Sequence, residues 1–432
     1  MRRLLPRPEP QVTDWPGQAS NTSSFTSASW HESRRQTRVG ARGGSGRGGR
    51  VNSFVVLDSL LVLDLSAYLP GPYLTQTLAD FGARVVKVEP PGGDPARHVP
   101  PHDEEGVSAA FRALNHGKRS LGLDLKQSAA RDLLLRLVEQ ADVLVEGFRP
   151  GVLERLGVGS ASCRERNPRL IWCSVSGYGQ DGPAAATAGH DINYLASSGA
   201  LSITTCREGH PAVPGLQVAD ALAALAGLSG VLLALCERER SGLGRMVDAS
   251  MLDAAVSVQG LHFAAQALGA SAAPRAMPLN GVFPCYDLYP TADGRAFALG
   301  ALEPKFWARF CDVVGRPEWV ARQFDPSLRD EVAGLFAERT RDEWRVVLET
   351  AGCCGSPVLD YSEVREDPQV RARGLLEEAR AAPPVRFSPS LRRPAAAVPA
   401  RVGADSRAVL SEFLNLDSAS VDALVESGAV VA

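Results

Sequence analysis

The sequence lacks most of the short signatures that assign chemistry to an α/β enzyme. No G-x-G-x-x-G follows the first predicted strand, so the nicotinamide-dinucleotide fingerprint is missing there. No G-x-x-x-x-G-K-[ST] is present, which excludes a P-loop, and there is no G-x-S-x-G elbow. The eight Cys include no C-x-x-C, and the adjacent Cys353 and Cys354 do not suit structural zinc. Neither a metal site nor a disulfide framework is expected, and a reducing, cytoplasmic setting is the default. Lysine is scarce, at four (87, 118, 126 and 305) against 42 Arg. The net charge of −3 argues against a nucleic-acid-coating protein. The longest strongly apolar, uncharged run, Ala221 to Cys236, is sixteen residues. That is short of the ~20 needed to cross a bilayer and fits a buried helix, so no membrane partner is expected.

What is present is an ordinary globular composition: 432 residues, 45% apolar and 22% charged. The length suggests two or three domains. The charge is unevenly spread. Residues 1–52 hold nine Arg and three acids (Glu9, Asp14, Glu32), a net of +6 that leaves −9 on the remainder. This segment is rich in Ser, Thr and Gly and cannot bury a core, so residues 1–53 are expected to be a disordered extension. Its Arg-rich, acid-poor composition suits a mitochondrial transit peptide. Pro6, Pro8, Pro10 and Pro16 oppose that by breaking any amphipathic helix. The alternatives are a basic tail and a non-functional extension. The folded chain is expected to begin near Phe54.

From there, short apolar runs alternate with helical stretches. Strands are expected at 57–65, 84–89, 120–125, 142–146 and 170–176. Helices are expected from Pro72 to Phe81 and from Ala129 to Gln140. Strand–helix alternation predicts an α/β fold with a parallel sheet covered on both faces. Ligands in such sheets sit beyond the carboxyl ends of the strands, which points to the loops after strands one, two and five. Further on, long helices are expected at 220–240 and 248–268. A smaller α+β unit follows, with strands at 286–289 and 296–299 around the turn Thr291–Gly294. The Pro- and Arg-rich stretch 380–401 reads as an extended linker, followed by two short closing helices.

Several stretches resemble the family III CoA-transferases (CaiB/BaiF). They are Tyr68-Leu-Pro-Gly-Pro72, Leu78 to Asp94 (LADFGARVVKVEPPGGD), Asn115 to Lys126 (NHGKRSLGLDLK) and Glu146-Gly-Phe-Arg-Pro-Gly151. The likeness continues through Gly177-Tyr-Gly-Gln-Asp-Gly-Pro183, Gly189-His-Asp-Ile-Asn-Tyr194, Ala219-Asp220 and Thr291–Gly294, and ends near Gly374. That family includes α-methylacyl-CoA racemase. The resemblance implies an interlocked homodimer with a large Rossmann-like CoA-binding domain at 54–250, completed by about 394–432. It also implies a linker helix at 251–282, a small α+β domain at 283–369 and a return linker at 370–393.

The resemblance also implies roles. Transferases use an Asp carboxylate as nucleophile on the thioester. Racemases remove and return the α-proton of a 2-methylacyl-CoA, which needs a base, an acid and donors for an enolate oxygen. Asp220 matches the shared Asp, His190 the racemase His, and Glu303 a glutamate that buttresses it. On the residues alone, His190 is a hydrogen-bonded loop residue or a catalyst, Asp220 a first-turn acid, and Glu303 a helix-start residue before Pro304. Asp191 either orients the imidazole or caps a helix. Arg97, Lys118, Arg119, Lys126 and Arg149 read as a cationic funnel for the CoA phosphates, or singly as surface charges. Leu123, Asp124, Leu125 and Lys126 match a CoA-lining segment. Gly189, Ile192, Asn193 and Tyr194 complete the motif around His190. No permanently bound cofactor is implied, because CoA arrives with the substrate. Three departures stand out. Pro90 replaces an Arg of human-type racemases. Ala221 and its apolar neighbours replace a glycine cluster. A single Gly281 stands where formyl-CoA transferases have several. Racemisation, CoA transfer through Asp220, and acyl-CoA binding without turnover are the three functional expectations.

Overall fold

Apolar runs separated by polar loops assemble a seven-stranded sheet. The computed structural model describes residues 56–206, 208–271, 273, 275–377, 380–388, 390–392 and 396–432. The expected disordered extension, 1–53, lies outside the described residues. The strands are β1 (Leu61–Leu65), β2 (Arg84–Glu89), β3 (Arg119–Leu123), β4 (Val143–Glu146), β5 (Ile171–Ser176) and β6 (Met246–Ser250). After them come β7 (Tyr286–Pro290), β8 (Ala296–Gly300), β9 (Gly355–Pro357), β10 (Leu376–Glu377), β11 (Arg380–Ala381) and β12 (Val430–Val431). The main sheet has the order β12-β3-β2-β1-β4-β5-β6. Its first six strands are parallel, and β12 adds an antiparallel edge. The order 3-2-1-4-5-6 reverses between β1 and β4, which opens a crevice at their carboxyl ends.

Both faces are covered, which is why the strands read as nearly continuous apolar runs. In β1, Leu61, Leu63 and Leu65 join one core, together with residues of the helices Ser128–Val138 and Ser406–Leu414. Val62 joins the other, with the helices Pro70–Asp80 and Val218–Ser241. The latter helix has 24 residues and is long and apolar enough, by length and composition, to cross a membrane. Here its Ala219, Ala223, Ala224, Gly227 and Val231 are buried against the sheet and its neighbouring helices. A third core, around Trp307, Phe310, Phe336 and Trp344, joins the antiparallel sheet β7-β8-β9 to three helices.

The structure corrects the expected helix at 248–268. Residues 246–250 pair in register with β5, from Trp172–Met246 to Ser176–Ser250, and form the sheet edge. Two short helices, Met251–Ser257 and Gly260–Ala267, follow. Ser250 starts the first, its Oγ accepting from Asp253 N–H at 3.1 Å. The stretch read as an extended linker also carries structure. β10 and β11 pair antiparallel, and buried Arg380 places Nη1 2.9 Å from Asp80 Oδ1.

Candidate active site

The loops after β1 to β4 enclose a cleft of about 570 Å³ at the carboxyl edge of the sheet. Ser66 and Ala67 follow β1, Glu89 ends β2 with Pro90, Gly93, Asp94 and Pro95 beyond it, Leu123 to Lys126 close β3, and Gly147 and Phe148 follow β4. The expected CoA-lining segment Leu123, Asp124, Leu125 and Lys126 therefore lies in this cleft. Arg155, which sequence reasoning missed, lies in it too, on the short helix Val152–Arg155. The strand-order rule was the signal that could have found it, since the loop after β4 flanks the reversal.

The other expected cations divide differently. Lys118 is buried, with Nζ 3.0 Å from Asp64 Oδ2 and donating to Thr75 Oγ1 and Pro72 O. Asp64 interrupts the apolar strand Leu-Val-Leu-Asp-Leu, and a buried carboxylate needs paired cations. Lys118 and Lys87 meet that need and hold Asp64 well below the usual carboxylate range, while burial brings Lys118 down to about 8. Lys118 is thus a structural cation, which corrects its expected place in the phosphate funnel. Arg97 is likewise committed. It grips Glu89 with two bonds of 2.7 and 2.8 Å and lies over the Phe111 ring. Arg119 pairs with Glu412 and does not line the cleft. Arg149 is exposed and lines a second cavity of about 220 Å³ with Glu146, Ser174 and Gln180. Burial pushes the Glu146 carboxyl up to about 7.

The helix Val218–Ser241 descends from the carboxyl edge. Gly227 lies beside Ala249 and Cys173, and Gly230 lies beside Val247, one strand pair nearer the amino end. Asp220, seven residues before Gly227, therefore stands above β5. Its backbone N–H donates to Asp191 Oδ1 at 3.1 Å. Burial and the facing Asp191 carboxylate push the Asp220 carboxyl up to about 6. Asp191 thus caps a helix other than the one it begins.

His190 is exposed and precedes the helix Asp191–Ser197, and its N–H donates to Asn193 Oδ1 at 3.0 Å. Tyr194 is buried beneath it, donating from its hydroxyl to Gly189 O at 2.5 Å. A Cβ on Gly177 or Gly189 would strike the Tyr194 ring, at 2.4 and 2.8 Å, so both positions require glycine. Burial and the Asp220 charge push the Tyr194 phenol up to about 12. Ile192 is exposed on the same turn.

The structure brings His190, Asp191, Tyr194 and Asp220 to one place and does not bring Glu303 there. Glu303 is exposed at the start of the helix Pro304–Val313, and its side chain has no hydrogen bond or ion pair among the described residues. Within one chain it does not hydrogen-bond His190, and the helix it precedes packs into the separate core around Trp307. Contacts link the cleft to His190. A Cβ on Gly147 would touch Ser66 and the Val175 carbonyl, and Gly177 beyond β5 rests on Tyr194.

Comparison with known proteins agrees with this geometry. The sequence model of CoA-transferase family III matches residues 57–406. The α-methylacyl-CoA racemase of Homo sapiens is 38% identical over 74% of this chain and 82% of its own. The succinyl-CoA:mesaconate CoA-transferase of Haloarcula hispanica is 35% identical over 74% of this chain and 85% of its own. A crystal structure of a CAIB/BAIF family protein from Brucella suis superposes with a TM-score of 0.75 at 30% identity, covering 83% of this chain and 99% of that one. The sheet order and these three likenesses agree, and the chain belongs to the enzymes of CoA-transferase family III.

Proposed function

We propose that this enzyme takes an acyl-CoA into the 570 Å³ cleft and racemises the α-carbon of a 2-methylacyl group. His190 and Asp220 are the two proton carriers. The observation that carries this reading is the Asp220–Asp191 contact, which joins two helix starts and raises the Asp220 carboxyl to about 6. A carboxyl at that value keeps a usable protonated fraction at neutral pH. The exposed His190 imidazole is the partner that takes or returns the α-proton. The two converging helix N-termini favour the negative charge of an enolate. Lys126 and Arg155 receive the CoA phosphates. No resident cofactor is needed, since CoA enters as part of the substrate.

The contacts within one chain leave Glu303 without a role, and a homodimer supplies one. In this reading the partner subunit's Glu303 reaches His190, and the exposed Leu225, Leu232 and Leu233 of the long helix are covered by the second copy. The chain then divides into a CoA-binding domain at 54–250 with 394–432, connecting segments at 251–282 and 370–393, and a small domain at 283–369. The eight free thiols support a cytoplasmic setting.

A second reading, CoA transfer through an Asp220 anhydride, is favoured by one observation. A carboxyl at about 6 is mostly ionised above neutral pH and so can attack a thioester. Incubating a single 2-methylacyl-CoA in D₂O without an acceptor acid separates the two. Racemisation incorporates deuterium at the α-carbon, and His190→Ala abolishes it. No exchange, with an Asp220 adduct trapped by hydroxylamine, would replace racemisation with transfer. Tight binding with neither activity would make the protein an acyl-CoA-binding regulator.

A further inference from the structure

Tyr68, at the head of β1, has φ +62 and a side chain 52% exposed. A tyrosine in the left-handed region is strained where glycine would not be. Such strain persists only where the surroundings over-determine it. Here the determinants are buried charges. Tyr68 N–H donates to Asp94 Oδ1 at 3.2 Å. Asp94 Oδ2 lies 2.8 Å from Lys87 Nζ, and Lys87 in turn donates to Ser66 O at 2.9 Å. Asp64 Oδ1 accepts from Ser66 N–H at 3.0 Å. One buried ion pair thus fixes the backbone on both sides of Ala67. Ser66 and Ala67 line the cleft, and Tyr68 does not.

The helices that follow Tyr68 and contain Asp220 touch lower down, where a Cβ on Gly227 would lie 2.8 Å from Leu74 Cδ1. Both run down from the carboxyl edge on the same face of the sheet. Tyr68 is six residues above that contact and Asp220 seven. Helices in contact lie ~8–10 Å apart, so Tyr68 and Asp220 stand at the same end of this helix pair. The cations Lys126 and Arg155 line the cleft, and Tyr68 is not among its lining residues.

We infer that Tyr68 is a specificity-determining residue whose ring forms a wall for the acyl group of the substrate, not for its CoA portion. This rests on the acyl-CoA reading given above. The strained turn holds the ring outward before any substrate arrives, so no ordering of the side chain is needed on binding.

The test compares wild type, Tyr68→Ala and Tyr68→Gly with 2-methylpropanoyl-CoA, 2-methyldodecanoyl-CoA and coenzyme A. Affinity is read by calorimetry, and turnover by α-deuterium exchange. The expected result is a change of about tenfold or more in the preference between the two acyl-CoAs, the scale of lost apolar contacts in a pocket. It should appear mainly in KM, with coenzyme A affinity unchanged within twofold. Tyr68→Gly should melt no lower than wild type, because the left-handed strain is released. An unchanged preference overturns the inference, as does an equal loss of coenzyme A affinity. A lower melting temperature for Tyr68→Gly would make the ring a structural element and overturn it too. If wild type binds coenzyme A but neither acyl-CoA, the acyl-CoA reading fails and this inference fails with it.

Discussion

The backbone N–H of Asp220 is held by the side chain of Asp191, at 3.1 Å, and burial together with that facing carboxylate raises the cost of ionising Asp220. A contact that looks like simple helix capping therefore also sets the protonation of the candidate acid.

Asp191→Asn keeps an oxygen for the Asp220 N–H and removes the facing charge. The Asp220 carboxyl should then titrate below about 6, although burial still holds it above the ordinary aspartate value. The limb of the pH–rate profile that reports Asp220 should move to lower pH, by about half a unit to one unit. An unmoved limb would show that burial alone sets the value.

Glu146 should make the protein less stable as pH rises. Its folded value, about 7, lies above the ordinary 4.5. The native state therefore binds the proton more tightly than the unfolded chain does. Its favourable contribution is full below about 4.5 and lost as pH rises through about 7. Glu146→Gln should match wild type near pH 4 and exceed it near pH 8 by roughly 2–3 kcal/mol. Urea melts at both pH values check this.

Lys118 and Arg155 should respond in opposite ways. Lys118→Met leaves the Asp64 carboxylate with one cation fewer in the core and should cost about 3–5 kcal/mol of stability. The KM for acyl-CoA of the folded fraction should change little. Arg155→Ala should leave the melting temperature within a few degrees and raise that KM several-fold. The effect should shrink at high salt, as expected for a phosphate contact.

Gly177→Ala drives a methyl into the Tyr194 ring, and the displaced tyrosine hydroxyl loses Gly189 O beside His190. Overpacking of this kind costs about 1–3 kcal/mol. Turnover should fall at least tenfold while coenzyme A affinity stays near wild type, as read by steady-state kinetics and calorimetry.

Much of the fold follows from local pattern. The expected second strand coincides with β2 at Arg84–Glu89, because a run of β-branched residues ends in Pro90 and Gly92. The strand expected at 170–176 coincides with β5 at Ile171–Ser176, and the long helix expected from Asp220 begins two residues earlier, at Val218. β6 was not legible. Met-Val-Asp-Ala-Ser alternates no better as a strand than as a helix, and only pairing with β5 decides it.

The site divides in the same way. From sequence alone come the alternating elements, the glycines at tight turns, the acidic folded region and the motif that contains His190 and Asp220. Only the tertiary structure decides what each charge faces. Lys118 and Lys126 are similar loop lysines in sequence, yet Asp64 draws the first into the core and the second remains at the cleft. Asp191 and Asp220 are 29 residues apart, and Asp80 and Arg380 are 300 apart. The strength of a charge depends on its burial and its nearest partner. Neither is a local property of the chain, so both waited on the fold.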